Sequence, residues 1–162
     1  LFRSYVMRAW YDILYVDSID RKVDLNGIRD SHAQIDALIA REVSRGVPAE
    51  RIVLAGFSQG GAMAYTTGLA QPDTLAGIIA LSTYIPSVDY LSEHRHPANQ
   101  HTPVFAGHGE FDNIVPVALG QRAVDTLKAH GQPVSWHTYP MMHAVCIEEI
   151  QAIGQWLRSV LK

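Results

Sequence analysis

Five consecutive residues, Gly56-Phe57-Ser58-Gln59-Gly60, hold the most informative chemistry of this 162-residue chain. The pattern G-x-S-x-G does chemistry where a strand turns within one residue into a helix. At such a turn the serine backbone is strained and side chains two positions to either side would collide, which Gly56 and Gly60 avoid. Gly61 and Ala62 let the following helix approach the sheet. The turn lifts the Ser58 hydroxyl above the sheet edge at the positive end of that helix, where the backbone N–H of Gln59 can meet a developing oxyanion. Short patterns also arise by chance, and the strand–helix setting is what gives this one weight.

A serine hydroxyl is a weak nucleophile and needs a base that is itself oriented by a carboxylate. Both follow in the chain order Ser, Asp, His. Asp112 lies in His108-Gly109-Glu110-Phe111-Asp112-Asn113-Ile114-Val115-Pro116, just past a predicted strand, and His143 follows Pro140-Met141-Met142, directly before a predicted helix. Each has a plainer reading, Asp112 as the turn residue ahead of a helix and His143 as a helix-start residue. That both stand where a triad needs them favours the catalytic reading.

These side chains need strand ends to carry them. Ile52-Val53-Leu54-Ala55-Gly56-Phe57 is a continuous apolar run too short for a helix, as expected of a strand buried on both faces of a parallel sheet. Similar runs at 78–83, 104–107 and 134–139 predict three more strands, and helices fit Ser58–Gln71, 117–130 and 145–161. Before them, Ile28, Ile35, Leu38, Ile39 and Val43 mark one face of a helix from Asn26 that Gly46 and Pro48 close. Residues 1–16, rich in aromatics, show neither period and are read as an irregular packed loop. Strands alternating with helices predict a mostly parallel sheet with helices on both faces and its chemistry at the carboxyl ends of the strands.

Several separated segments share one resemblance. Gly56-Phe57-Ser58-Gln59-Gly60-Gly61, Leu81-Ser82-Thr83-Tyr84-Ile85-Pro86, His108-Gly109 through Asp112 to Val115-Pro116, and Tyr139-Pro140-Met141 before His143 occur in that order, with Trp10-Tyr11-Asp12 ahead of the first helix. Together they resemble the phospholipase/carboxylesterase family of α/β-hydrolases, in its acyl-protein thioesterase-like group and bacterial carboxylesterase branch. The resemblance implies a single three-layer α/β/α sandwich domain over 1–162 that lacks the first strands of the fold. It places Ser58, Asp112 and His143 at the nucleophile, acid and base positions, and Gln59 at an oxyanion-hole N–H. Two departures stand out: nothing matches the His-Gly-rich turn that donates the family's second oxyanion N–H, and Met142 stands where the family usually has glycine. A methionine there would narrow the acyl pocket, or tilt the loop if the glycine had a positive φ.

Other features narrow the function. Thirteen basic against sixteen acidic residues give a net charge of −3, with no basic stripe to track a phosphate backbone, so nucleic acid is not an expected partner. The 48% hydrophobic and 18% charged content fits one soluble globular domain. No apolar run is long enough to span a membrane, and the single Cys146 excludes an internal disulfide, consistent with a reducing, cytoplasmic compartment. Cys146 is read as a buried structural residue of the last helix. His94, His96 and His101 raise a metal site, but with no carboxylate at ligand spacing they read as a solvated loop, so no metal is expected. Phe57, Tyr84, Ile85, Met141 and Met142 flank the strand ends and are candidates to bind the acyl chain.

The expected function is therefore hydrolysis, without a cofactor, of small carboxylic esters of short to medium acyl chain, with thioesters and lysophospholipids as further candidates. The rival is a truncated or degenerate, non-catalytic hydrolase fragment. Leu1 is not a start methionine, so the native start is expected upstream. Strand 52–57 would then have an unpaired edge without a charged or proline guard, and self-association through it is expected.

Overall fold

The computed structural model describes residues 9–16 and 21–161. Four parallel strands form the main sheet in sequential order: β3 (Val53–Phe57), β4 (Gly77–Leu81), β5 (Val104–Gly109) and β6 (Val134–Tyr139). Their registers pair Phe57 with Leu81, Leu81 with Gly107, and Gly109 with Tyr139, so the carboxyl ends of all four reach one edge of the sheet. A separate antiparallel pair, β1 (Ile13–Val16) with β2 (Arg21–Val23), precedes them. Residues 13–16 therefore correct the expectation of an irregular loop. Ile13-Leu14-Tyr15-Val16 is apolar or aromatic throughout, with β-branched residues at both ends, and it needs a partner strand rather than a periodic face to settle. Residues 1–8 of that expected loop lie outside the described residues.

The helices are α1 (Leu25–Ser44), α2 (Gln59–Gly68), α3 (Val88–His94), α4 (Val117–Ala129) and α5 (Ile147–Val160). The Asp24 side chain accepts the Asn26 N–H at 2.9 Å to start α1, and Gly46 at φ 94° ends it, as the sequence pattern requires. Helices α2 and α4 share a core with one sheet face, where Ala64, Tyr65 and Leu69 meet Ile78, Val104, Ala123 and Leu127. Helix α5 packs on the other face, with the Trp156 ring 6.0 Å from that of Phe105. Helix α1 lies against α2, and Ile28, Ile35 and Ile39 pack with Ala62 and Met63.

Several boundaries differ from those read in the sequence. Strand β4 stops at Leu81 because Ser82 takes φ 47° and turns the chain, and β5 runs two residues past 107 because its pairing with β6 continues to Gly109. Helix α2 ends at Gly68 rather than Gln71. Helix α3, absent from the sequence reading, is a two-turn element that Ser87 caps by accepting the Tyr90 N–H at 3.2 Å. Strand β3 pairs only with β4, so its other edge is open among the described residues. Beside that edge runs an apolar groove of about 300 Å³ lined by Trp10, Leu38, Ile52, Leu54 and Ala55.

Candidate active site

Ser58 stands between β3 and α2 with φ 54° and ψ −124°, a backbone that L-residues rarely hold. Two bonds from the end of β4 keep it there: its N–H donates to Leu81 O at 2.9 Å, and the Thr83 hydroxyl donates to Ser58 O at 2.6 Å. A Cβ on Gly56 would overlap the Gly60 carbonyl and lie 2.5 Å from Gly61 N, so position 56 admits only glycine. Gly61 is similarly close to Thr83, at 2.8 Å. Gly60 corrects the expectation from the pattern, because a Cβ there would meet nothing nearer than Trp10 Nε1 at 3.6 Å.

Asp112 occupies the turn after β5 with its side chain fully buried. Its Oδ1 accepts the N–H groups of Ile114 and Val115 at 2.9 and 2.8 Å, which fixes the carboxylate plane and leaves Oδ2 to face His143 Nδ1 at 2.7 Å. A carboxylate only accepts here, so Nδ1 carries the proton and Nε2 is left as the acceptor. That Nε2 lies 3.1 Å from Ser58 Oγ. The three residues, up to 85 positions apart in the chain, thus form one hydrogen-bonded line above the sheet edge. The plainer reading of Asp112 also applies, since it closes its own turn with the same carboxylate.

The backbone N–H of Gln59 heads α2, where the first-turn N–H groups have no acceptor within the helix. Its side chain acts as a clamp, with Oε1 accepting the Trp10 N–H at 3.2 Å and Nε2 donating to Tyr11 O at 3.0 Å. Phe57 is exposed and sets its ring 4.7 Å from that of His143. Met142 is 51% exposed and Met141 half-buried. Met142 has no positive φ, so its side chain does not tilt the loop by backbone strain. Tyr84 departs from its expected place: it is buried with Val115 and Leu119, and its hydroxyl bonds that of Tyr11 at 2.9 Å, so its ring fills the core.

Cys146 is not in a helix interior. With φ −106° and ψ 168° it is the residue before α5, and it is half-buried. His94, on α3, stacks 3.9 Å from Tyr90, His96 accepts the Ala98 N–H at 3.3 Å, and His101 is exposed. Among the described residues no group of three or more His, Cys, Asp or Glu could hold a metal ion, and no helix is long and apolar enough to cross a membrane.

Two groups escaped the sequence reading. His108 is buried under the acid loop, with Nε2 donating to Val115 O at 2.8 Å and lying 3.5 Å from Asp112 Oδ2. Burial holds it below the ordinary imidazole range, against the raising effects of the Val115 carbonyl and of Asp112. Its position directly ahead of Gly109 and four residues before Asp112 was the available signal. Glu149, in the first turn of α5, is fully buried with no hydrogen-bond partner for either oxygen, and burial pushes its carboxyl up to about 7. Nothing in the sequence singles it out from the adjacent, exposed Glu148.

A parallel sheet, a serine at a strained strand–helix turn, and a histidine and aspartate carried by later strand ends are the parts of an α/β-hydrolase. The chain belongs to the Phospholipase/Carboxylesterase family, whose model matches residues 3–161. It is 43% identical over 162 residues to acyl-protein thioesterase 1 of Neurospora crassa, covering 96% of this chain and 66% of that protein. The Yarrowia lipolytica acyl-protein thioesterase 1 is 36% identical, with 96% and 70% covered. Among solved structures, Arabidopsis thaliana SOBER1 matches with a TM-score of 0.90 at 27% identity, covering 98% of this chain and 76% of that one. Esterase PE8 matches at 0.83 and 30% identity, with 94% and 70% covered. The chain spans 66% to 70% of the length of these two curated relatives.

Proposed function

We propose that the chain hydrolyses carboxylic esters through a covalent acyl-enzyme on Ser58. The observation that carries this reading is the line from Ser58 Oγ to His143 Nε2 at 3.1 Å and from His143 Nδ1 to the buried Asp112 at 2.7 Å. His143 takes the hydroxyl proton as Ser58 Oγ adds to the ester carbonyl, and the oxyanion faces the Gln59 N–H. Collapse of the adduct breaks the bond to the leaving oxygen, which receives the proton from His143. Water then repeats the sequence on the acyl-enzyme, releasing the acid and restoring Ser58. Asp112 stays ionised throughout and stabilises the imidazolium.

The substrates are short- to medium-chain esters, with thioesters and lysophospholipids in the same class. The relatives named acyl-protein thioesterase and the neighbour named esterase support ester and thioester bonds as the bonds cleaved. Phe57, Met141 and Met142 bind the acyl chain, since all three flank His143 and offer apolar surface, while Tyr84 supports the acid loop from the core. An organophosphonate probe tests the reading: it labels Ser58, and Ser58→Ala abolishes labelling and turnover of an activated ester. Labelling that persists in the alanine variant, or that moves to Cys146, would overturn it.

A further inference from the structure

We propose that Glu149 is a positioning residue for this reaction: as a neutral acid it seats the first turn of α5, and with it the loop bearing His143, on the bare backbone of β5. The proposal rests on the functional reading above and extends it to a group that touches none of the reacting atoms.

Two glycines on the same face of β5 form the seat. Gly109 receives the His143 loop, since a Cβ there would overlap the carbonyl oxygens of Met141 and Met142. Gly107, two residues back, receives Glu149, since a Cβ there would overlap Oε1 and lie 3.1 Å from the carboxyl carbon. On its near side the loop is tied to the turn after β5 by two backbone bonds, Glu110 N–H to Tyr139 O at 2.8 Å and Phe111 N–H to Met141 O at 3.1 Å, and by the His143–Asp112 pair. Its far side runs into α5, whose Ile150 N–H bonds Cys146 O at 3.1 Å. Glu149 is therefore the contact of the first turn of α5, six residues after His143, while Trp156 packs on Phe105 further along the helix.

The site suits a neutral carboxylic acid and punishes a carboxylate. Both oxygens are buried without a partner, and no lysine or arginine of the described residues pairs with them. The titratable groups around it offer no cation in contact. On β6, His137 is the register partner of Gly107 and stacks its ring on Phe105 at 4.8 Å, and Tyr139 follows with its buried hydroxyl unpartnered. Just before α5 there is Cys146, on α5 itself the exposed Glu148, on the loop His143, and from β4 the apolar Leu81 approaches. Burial first, then the Glu149 carboxyl and Cys146, pushes the Tyr139 phenol up. Burial also raises the Glu149 carboxyl to about 7. Above that pH the carboxylate must leave its seat or draw in water, and His143 loses its register with Ser58.

The test is the pH profile from 5 to 9 of two rates, organophosphonate labelling of Ser58 and kcat for an activated ester, in the wild type, Glu149→Gln and His137→Asn. Wild type falls at least fivefold between pH 6.5 and 8.5, in labelling and kcat alike and not in KM. Glu149→Gln, neutral at every pH and of the same shape, keeps its pH 6.5 rate and loses the alkaline fall, whereas His137→Asn keeps the fall. The inference is overturned if the fall survives in Glu149→Gln, if it disappears in His137→Asn, or if wild type shows none. If Ser58 of the wild type is not labelled at any pH, the functional reading fails and this one with it, an outcome distinct from normal labelling with an unchanged profile.

Discussion

Replacing Asp112 by asparagine removes one negative charge and changes almost nothing else, so it isolates what the carboxylate does for His143. Oδ1 accepts two backbone N–H groups, from Ile114 and Val115, and an amide nitrogen cannot take that place. The asparagine must therefore point its oxygen at the turn and its NH2 at His143, across the 2.7 Å gap where Oδ2 now accepts. A donor facing Nδ1 makes that nitrogen the acceptor and moves the imidazole proton to Nε2. There it meets the Ser58 hydroxyl as a second donor and cannot act as its base. The cost includes both the wrong tautomer and the lost charge beside the imidazolium, and a triad aspartate-to-asparagine change of this kind lowers kcat by about 10⁴, or about 5.5 kcal/mol. The assay is turnover of an activated short-chain ester at pH 7.5, alongside thermal unfolding to show that the turn survives. Glu110→Gln is the control, because Glu110 is exposed and only accepts the Thr138 hydroxyl at 3.0 Å. A loss of less than tenfold in Asp112→Asn, or equal losses in both variants, would refute the reasoning.

Two further outcomes follow from the geometry. Gly56→Ala should cost at least about 3 kcal/mol in urea unfolding, at the upper end for overpacking, because its Cβ would meet backbone atoms that cannot give, whereas Gly60→Ala should be neutral or stabilising by up to about 1 kcal/mol. Equal losses would show that the two glycines of the pattern act alike. The open edge of β3 should let the chain self-associate in sedimentation velocity, and Ala55→Lys, on an exposed position of that strand, should shift the population toward monomer. An unchanged distribution would place any association elsewhere.

The parts of the fold that were legible in the sequence are those that local chemistry dictates. An apolar run such as Ile52 to Phe57 has few places to go except a buried strand, and a serine between close glycines at its end needs a turn. Asp112 and His143 were readable because each follows such a run, and the structure brings both to Ser58. What was hidden depends on partners. Residues 13–16 become a strand only because residues 21–23 lie beside them. Helix α3 is too short to show a period and rests on one cap at Ser87. Cys146 and Ile147 differ in role by a single residue of helix start. Glu148 and Glu149 are the same letter in the same first turn, where acids normally complement the helix dipole in solvent. One step of about 100° turns the second inward, onto a glycine whose emptiness no window around α5 could reveal.

The line from Ser58 to His143 joins the strands at opposite edges of the four-stranded sheet, across 85 residues of chain. Every pairing between those edges is parallel and non-local, the kind of contact that forms slowly because long loops must close before it rewards them. On the proposed function, reactivity at Ser58 is thus a clock for assembly. A collapsed chain with its helices formed holds a hydroxyl of ordinary inertness, and a slip of one residue between β5 and β6 would turn the seat of the His143 loop to the wrong face. On that reading the nucleophile is complete only when all four strands are in register.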